Sequence, residues 1–260
     1  MPDFDTSVPH IARVYDYWLG GKDNFAADRD LGERTLAAYP NLVFSVRANR
    51  AFLARTVRFL AAEAGIRQFL DIGTGIPTAS NTHQVAQRAA PQCRIVYVDN
   101  DPIVLLHARA LLKSKPEGAC AYLDADLRDP DKILAAAADT LDFSQPVAIM
   151  LIAVMHFLGD DAEASKIVNR LMEACAPGSF VAISHAASDI DAEQMAEMIR
   201  CLNQSGAEHM TIRDRAGVTR LFDALELVEP GVIRAAEWRP DSGLEAASPA
   251  ACWGGVARKP

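Results

Sequence analysis

The spacing of apolar positions changes character near residue 66. Upstream, Leu53, Val57, Leu60 and Ala64 recur at helical intervals, and Gly65 stands where a left-handed residue would close that helix. No strand pattern precedes this point, so residues 1–65 are expected to form a helical N-terminal cap. Downstream, short apolar runs at 67–72, 94–99, 119–124, 146–153 and 179–185 alternate with helix-like stretches. Runs that are apolar on both faces predict parallel strands with helices on both sides of the sheet.

Helix starts divide the chain in the same way. Asp101-Pro102 and Asp129-Pro130 each put a capping acceptor before a proline suited to a first helical turn. Ala176-Pro177-Gly178-Ser179 separates a helix from the next apolar run. The last two runs, Leu225 to Trp238 and Ala250 to Lys259, have no helix pattern between them, so they should pair antiparallel. The expected organisation is a cap over 1–65 and an α/β body over 66–260.

Composition adds mostly exclusions. Half of the 260 residues are hydrophobic, enough for a real core. The formal charge is -8 and no Lys/Arg block interrupts it, so no nucleic-acid partner is expected. Five scattered cysteines without a C-x-x-C pair fit neither a disulfide framework nor a thiolate zinc site. The six histidines show no H-E-x-x-H spacing, and no metal is expected. Without a secretory signal pattern or an apolar run near the ~20 residues of a membrane span, a cytoplasmic protein with no membrane partner is expected.

The strongest chemical signal is FLDIGTGIPT, Phe69 to Thr78. A buried strand runs into the turn Asp71-Ile72-Gly73-Thr74-Gly75, and a helix is expected to begin at Pro77. Two glycines there let the backbone approach a ligand at the carboxyl edge of the sheet, where open α/β folds bind their ligands. A tight turn with no ligand would look the same from G-x-G alone. Two acids favour a ligand. Asp99 ends the next strand about 26 residues beyond Gly73, near the spacing of roughly 20 at which a carboxylate takes ribose hydroxyls. Asp126 ends the third strand on the same edge, placed to accept from an adenine amino group. Asp101 and Asp129 read as helix caps.

FLDIGTGIPT, VYVDNDP, DADLRDP and WGGVARKP resemble the successive motifs of class I S-adenosylmethionine (SAM)-dependent methyltransferases. ARVYDYWLGGKDNFAADR, Ala12 to Arg29, together with GTGIPT resembles more narrowly a bacterial family of predicted SAM-dependent methyltransferases long catalogued as a domain of unknown function. The resemblance implies a Rossmann-like, mostly parallel seven-stranded sheet with an antiparallel C-terminal hairpin. It implies SAM as cofactor, with its methionyl part along Asp71, Gly73, Thr74 and Gly75. Asp99 and Asn100 would then meet the ribose, Asp126 and Leu127 the adenine, and the backbone at Ile152 and Ala153 the methionyl group. One departure is Pro77, where the broader class often has a third glycine. A dinucleotide fold would need glycine at Thr78, which counts against an NAD-dependent oxidoreductase. A SAM-binding regulator without catalysis is the other alternative.

Tyr15, Tyr17, Trp18, Gly20 and Gly21 lie in a segment dense in interaction-capable groups. It reads either as an amphipathic packing helix or as a lid over SAM that bends at Gly20-Gly21. A sulfonium is drawn to aromatic faces, which brings in Tyr15. Arg13, Arg47 and Arg50 are alternative partners for the methionyl carboxylate, and Arg13 lies in the motif itself. For catalysis, His156 after strand four and His185 at the end of strand five should both lie on the active edge. Either could be a base, and either could equally be a hydrogen-bonded structural histidine. His156 is the stronger candidate. The acceptor is expected to be a small molecule.

Overall fold

The computed structural model describes residues 5–111 and 113–260, with the backbone alone for 108–111, so the first four residues of the expected cap lie outside the described residues. Three helices come first: α1 (Ile11–Trp18), α2 (Ala26–Ala38) and α3 (Leu42–Ala62). Gly65 adopts φ 74° just past α3. The chain then alternates β1 (Gln68–Ile72), α4 (Thr82–Ala89), β2 (Arg94–Asp99), α5 (Pro102–Leu111), β3 (Ala119–Asp124), α6 (Pro130–Ala137), β4 (Ala148–Ile152), α7 (Asp161–Glu173) and β5 (Phe180–Ala186). After α8 (Ala192–Asn203) and α9 (Arg215–Arg220) come β6 (Glu226–Leu227), β7 (Ile233–Arg234), the short α10 (Gly243–Ala246) and β8 (Cys252–Arg258).

One sheet runs in the order β3-β2-β1-β4-β5-β8-β6, with β7 also paired to β8. The first five strands are parallel, and β8 runs antiparallel to β5 and to its short partners. This is the class I methyltransferase arrangement. It differs from the expected count in having eight strands, because the run 225–238 is split in two. Glu229-Pro230-Gly231 lies at the break. Proline brings no N–H to a ladder, and Gly231 turns the chain at φ 83°.

Alternation along the strands places one core on each face. Leu70, Ile72, Val96, Val98, Ile149 and Leu151 pack with α6, α7 and α9. Phe69, Ile95, Tyr97, Ala148 and Met150 pack with α3 and α4. A third cluster joins Val14, Trp18, Leu31, Tyr39 and Val46 of the N-terminal helices to Met195, Met198 and Leu202 of α8. The N-terminal segment is therefore built into the molecule next to the carboxyl edge of the sheet. Among the described residues, no helix is long and apolar enough to cross a membrane.

One predicted boundary is corrected. The helix after β1 begins at Thr82, not Pro77. Asn81 accepts from the Thr78 amide at 3.1 Å, and its own amide donates to the Gln84 side chain at 3.0 Å. The Asn81 side chain also accepts from the Gln84 amide, and this reciprocal capping box fixes the start and leaves 73–81 as a loop.

Candidate functional site

The glycine turn is held by backbone contacts to the neighbouring strand. The Gly73 and Thr74 amides both donate to the Val98 carbonyl, at 2.9 and 3.3 Å. Gly73 sits at φ 75°, and a Cβ there would lie 2.4 Å from a Val154 methyl, so this position requires glycine twice over. Gly75 also has positive φ, 64°, yet a Cβ there would meet nothing within 4 Å. Its amide donates to Asp99 Oδ2 at 2.8 Å.

Each expected acid has a defined setting. Asp99 Oδ1 accepts from the Asp101 amide at 3.0 Å, and burial raises the Asp99 carboxyl above its ordinary range. Asp71 is buried, accepts from the Thr82 hydroxyl at 2.6 Å, and is pushed by burial up to about 6. Asp126 accepts from the Arg128 amide at 2.8 Å. Asp129 caps α6 as expected, accepting from Lys132. Asp101 does more than cap. It accepts from Ile103 at 2.8 Å and pairs with His10 Nδ1 at 3.0 Å, tying the start of α1 to the end of β2.

All of these edge groups except the two helix caps, Asp101 and Asp129, open on one cavity. It is lined by Asp71, Gly73, Thr74, Gly75, Asp99, Asn100, Asp126, Leu127, Ile152 and Ala153, with Tyr15, Trp18 and Leu19 of the N-terminal segment across from them. The wall is cross-linked by hydrogen bonds. The Ala153 amide donates to Ser184 Oγ at 2.9 Å, Ser184 bonds Asn49, and Asn49 donates to the Tyr15 hydroxyl at 2.9 Å. Burial pushes that phenol up to about 12. None of these Asn49 and Ser184 contacts follows from sequence spacing, because α1, α3 and β5 meet only in the fold.

Arg13 is a correction. Its guanidinium is buried, donating to both Asp28 oxygens at 3.0 and 2.9 Å and to the Val8 carbonyl at 2.7 Å. It does not line the cavity, because it is spent joining α1 to α2. Arg47 is exposed and does not line it either, whereas Arg50 does. Gly20 and Gly21 close α1 instead of leaving a loose bend. Their amides donate to Tyr17 and Asp16, and a Cβ on Gly21 would overlap the Asp16 carboxylate.

The two histidines differ. His185 is fully buried. Its Nδ1 bonds the Ala186 carbonyl and its Nε2 meets an Arg213 nitrogen, both at 2.9 Å. With both nitrogens engaged and no face on the cavity, it is a structural group. Burial pushes it down to about 4. His156 lines the cavity, is 6% exposed, and has no hydrogen-bond partner for Nδ1 among the described residues. Burial, then the neighbouring His185 and Arg213, hold it well below the usual histidine range.

Comparison with known proteins gives the assignment. The model of a family described as S-adenosyl methyltransferase matches residues 1–260. The chain belongs to that family. A DUF574 family protein from Streptomyces avermitilis MA-4680 is 45% identical, over 98% of this chain and 99% of that one, with a TM-score of 0.94. A protein from Thermobifida fusca YX assigned as a methyltransferase is 42% identical, over 99% of this chain and 97% of that one, at 0.91. An O-methyltransferase family 2 protein from Planctomyces limnophilus DSM 3776 shares the fold alone, at 16% identity over 90% of this chain and 66% of that one, and a TM-score of 0.52. No curated protein matches.

For this S-adenosyl methyltransferase, the cavity suits the methyl donor on its own geometry. A nucleoside joined to an amino acid needs hydroxyl and amine acceptors at one end and an open backbone path at the other. Asp99, at the end of β2, and Asp126, just beyond the end of β3, supply acceptors in the same cavity. The empty space beside Gly75 is the close approach that a side chain would fill.

Proposed function

We propose that this methyltransferase binds SAM across the carboxyl edge of its sheet and methylates a small-molecule acceptor in the same cavity. In this reading Asp99, with Asn100, takes the ribose, and Asp126 and Leu127 hold the adenine. The methionyl part follows Asp71, Gly73, Thr74 and Gly75 toward the backbone of Ile152 and Ala153. Arg50 is the arginine positioned for its carboxylate. Residues 1–65 act as the cap over the body 66–260, with Tyr15 offering an aromatic face to a cation. The observation that carries the reading is that the glycine turn, both acids and α1 line one cavity.

The donor supplies a methyl group on a sulfonium. The protein's part is to hold acceptor and methyl in line and to exclude water, and such positioning alone accounts for a large share of rate in bimolecular transfers. α1 and α8 supply that enclosure, since Trp18, Met195 and Met198 line the cavity and are nearly fully buried.

SAM should raise the melting temperature by mass action, and NAD far less. Asp99→Ala should weaken SAM binding by roughly 1.5–3 kcal/mol, as for loss of hydrogen bonds to a charged acceptor. Equal stabilisation by NAD, or a folded Asp99→Ala variant with unchanged SAM affinity, would overturn the assignment.

A further inference from the structure

The cavity has two chemically different ends. Asp71, Asp99 and Asp126 make one end polar. The other lies in the third core cluster, where Trp18, Phe157, Met195, Met198, Leu202 and Met210 pack together and also line the cavity. Three thioethers in one wall give a surface that adapts to flat rings and makes favourable sulfur–aromatic contacts. This apolar end is not needed by a nucleoside or an amino acid.

Its charges are already paired. Arg128 lines the cavity, but its guanidinium bonds the Phe157 carbonyl at 2.8 Å and meets Asp126 and Glu208 at 3.4 Å. Glu208 is its partner, and the buried Asp16 of α1, which also lines the cavity, is engaged by the Asp23 amide at 2.9 Å and the Asn24 side chain at 2.8 Å. An acceptor bringing its own net charge would therefore lose hydration without gaining a counter-ion. His156 is the polar group left over. It follows β4, packs edge-on against Phe157 at 4.5 Å, and keeps Nδ1 without a partner among the described residues. A buried ring nitrogen left so is destabilising, and a hydrogen bond from a ligand would offset that cost. With its pKa depressed by burial, this imidazole is neutral at neutral pH and can accept.

We propose that the apolar end is the acceptor site, and that the acceptor is a neutral aromatic compound whose hydroxyl donates to the His156 imidazole. The proposal rests on SAM occupying the polar end. In the transfer, a lone pair of the hydroxyl oxygen forms the new bond to the methyl carbon. The carbon–sulfur bond breaks and leaves its pair on sulfur, and the hydroxyl proton passes to His156 and then to solvent. His156 is thus a catalytic base.

The test is calorimetric binding to the full chain saturated with S-adenosylhomocysteine, using 2-naphthol, naphthalene and 2-naphthoate as probes. 2-Naphthol should bind about tenfold more tightly than 2-naphthoate, because the carboxylate must be buried unpaired. His156→Phe should weaken 2-naphthol about five- to tenfold and leave naphthalene unchanged, as for one lost hydrogen bond. The ring nitrogens of His156 should shift in NMR spectra with 2-naphthol and not with naphthalene. Met198→Trp should block the naphthalenes while S-adenosylhomocysteine still binds; should that variant not fold, His156→Phe decides alone. Equal affinity for 2-naphthoate and 2-naphthol overturns the proposal, and so does 2-naphthol binding that ignores His156→Phe. If S-adenosylhomocysteine binds and no naphthalene does, only the acceptor assignment falls. If S-adenosylhomocysteine itself does not bind, the cofactor reading falls and takes this one with it.

Discussion

Asn49 donates its side-chain amide to the hydroxyl of Tyr15 at 2.9 Å, and that hydroxyl in turn bonds the Val46 carbonyl at 3.2 Å. The pair joins the first helix to the third, and through Ser184 to the sheet. Tyr15→Phe keeps the ring and strands the buried Asn49 amide, so it should lower stability by about 1–3 kcal/mol in urea unfolding. Adding Asn49→Ala should cost less in that background than alone, because the two share one interaction. Full additivity would show that the contact carries no coupling.

The two glycines of the turn should fail differently. Gly73→Ala forces a left-handed alanine, worth about 1–2 kcal/mol, and collides with Val154. It should lower the melting temperature of the free protein. Gly75→Ala has the same backbone cost but meets no protein atom, so its extra damage should appear in SAM affinity. Matching losses of stability and affinity in both variants would disprove this division.

Asp71 makes stability depend on pH. Its folded pKa is raised from 3.8 to about 6 by burial, so the folded state binds more protons than the unfolded one between those values. Its contribution is fully present below pH 3.8 and is lost as pH rises through about 6. Asp71→Asn, which cannot ionise, should flatten that part of the pH–stability curve. An unchanged slope between pH 4 and 6 would mean that Asp71 is ionised throughout.

Hydrogen exchange addresses the cap. Val14 and Trp18 are buried where α1 packs on α2 and α3, so opening α1 would uncover apolar surface, and exchange there should be slow but measurable. If α1 closes over SAM, saturating SAM should slow exchange from Tyr15 to Asn24. Protection that is already maximal without SAM would make the segment a permanent part of the core.

Much of the body was legible because its strands are short, apolar and separated by helix starts. The predicted runs 94–99 and 119–124 coincide with β2 and β3, and Asp129 caps where expected. Pro77 misled because proline suits a first turn, while the cap Asn81 with Gln84 lay four residues further on. Arg13 could not be separated from Arg50 along the chain, since its partner Asp28 is reached only when α1 packs on α2. Met195, Met198 and Met210 looked like ordinary helix and loop residues. Their shared wall exists only where α8 meets the N-terminal helices.

The position of β8 has a consequence during synthesis. β5 finds its outer neighbour only in residues 252–258, which follow α8, α9 and α10. Until that stretch leaves the ribosome, the nascent chain carries a bare apolar strand edge, the kind that pairs with other chains. Ala251 and Cys252 belong to the cavity wall as well, so a translation intermediate halted before them would be both sticky and unable to bind.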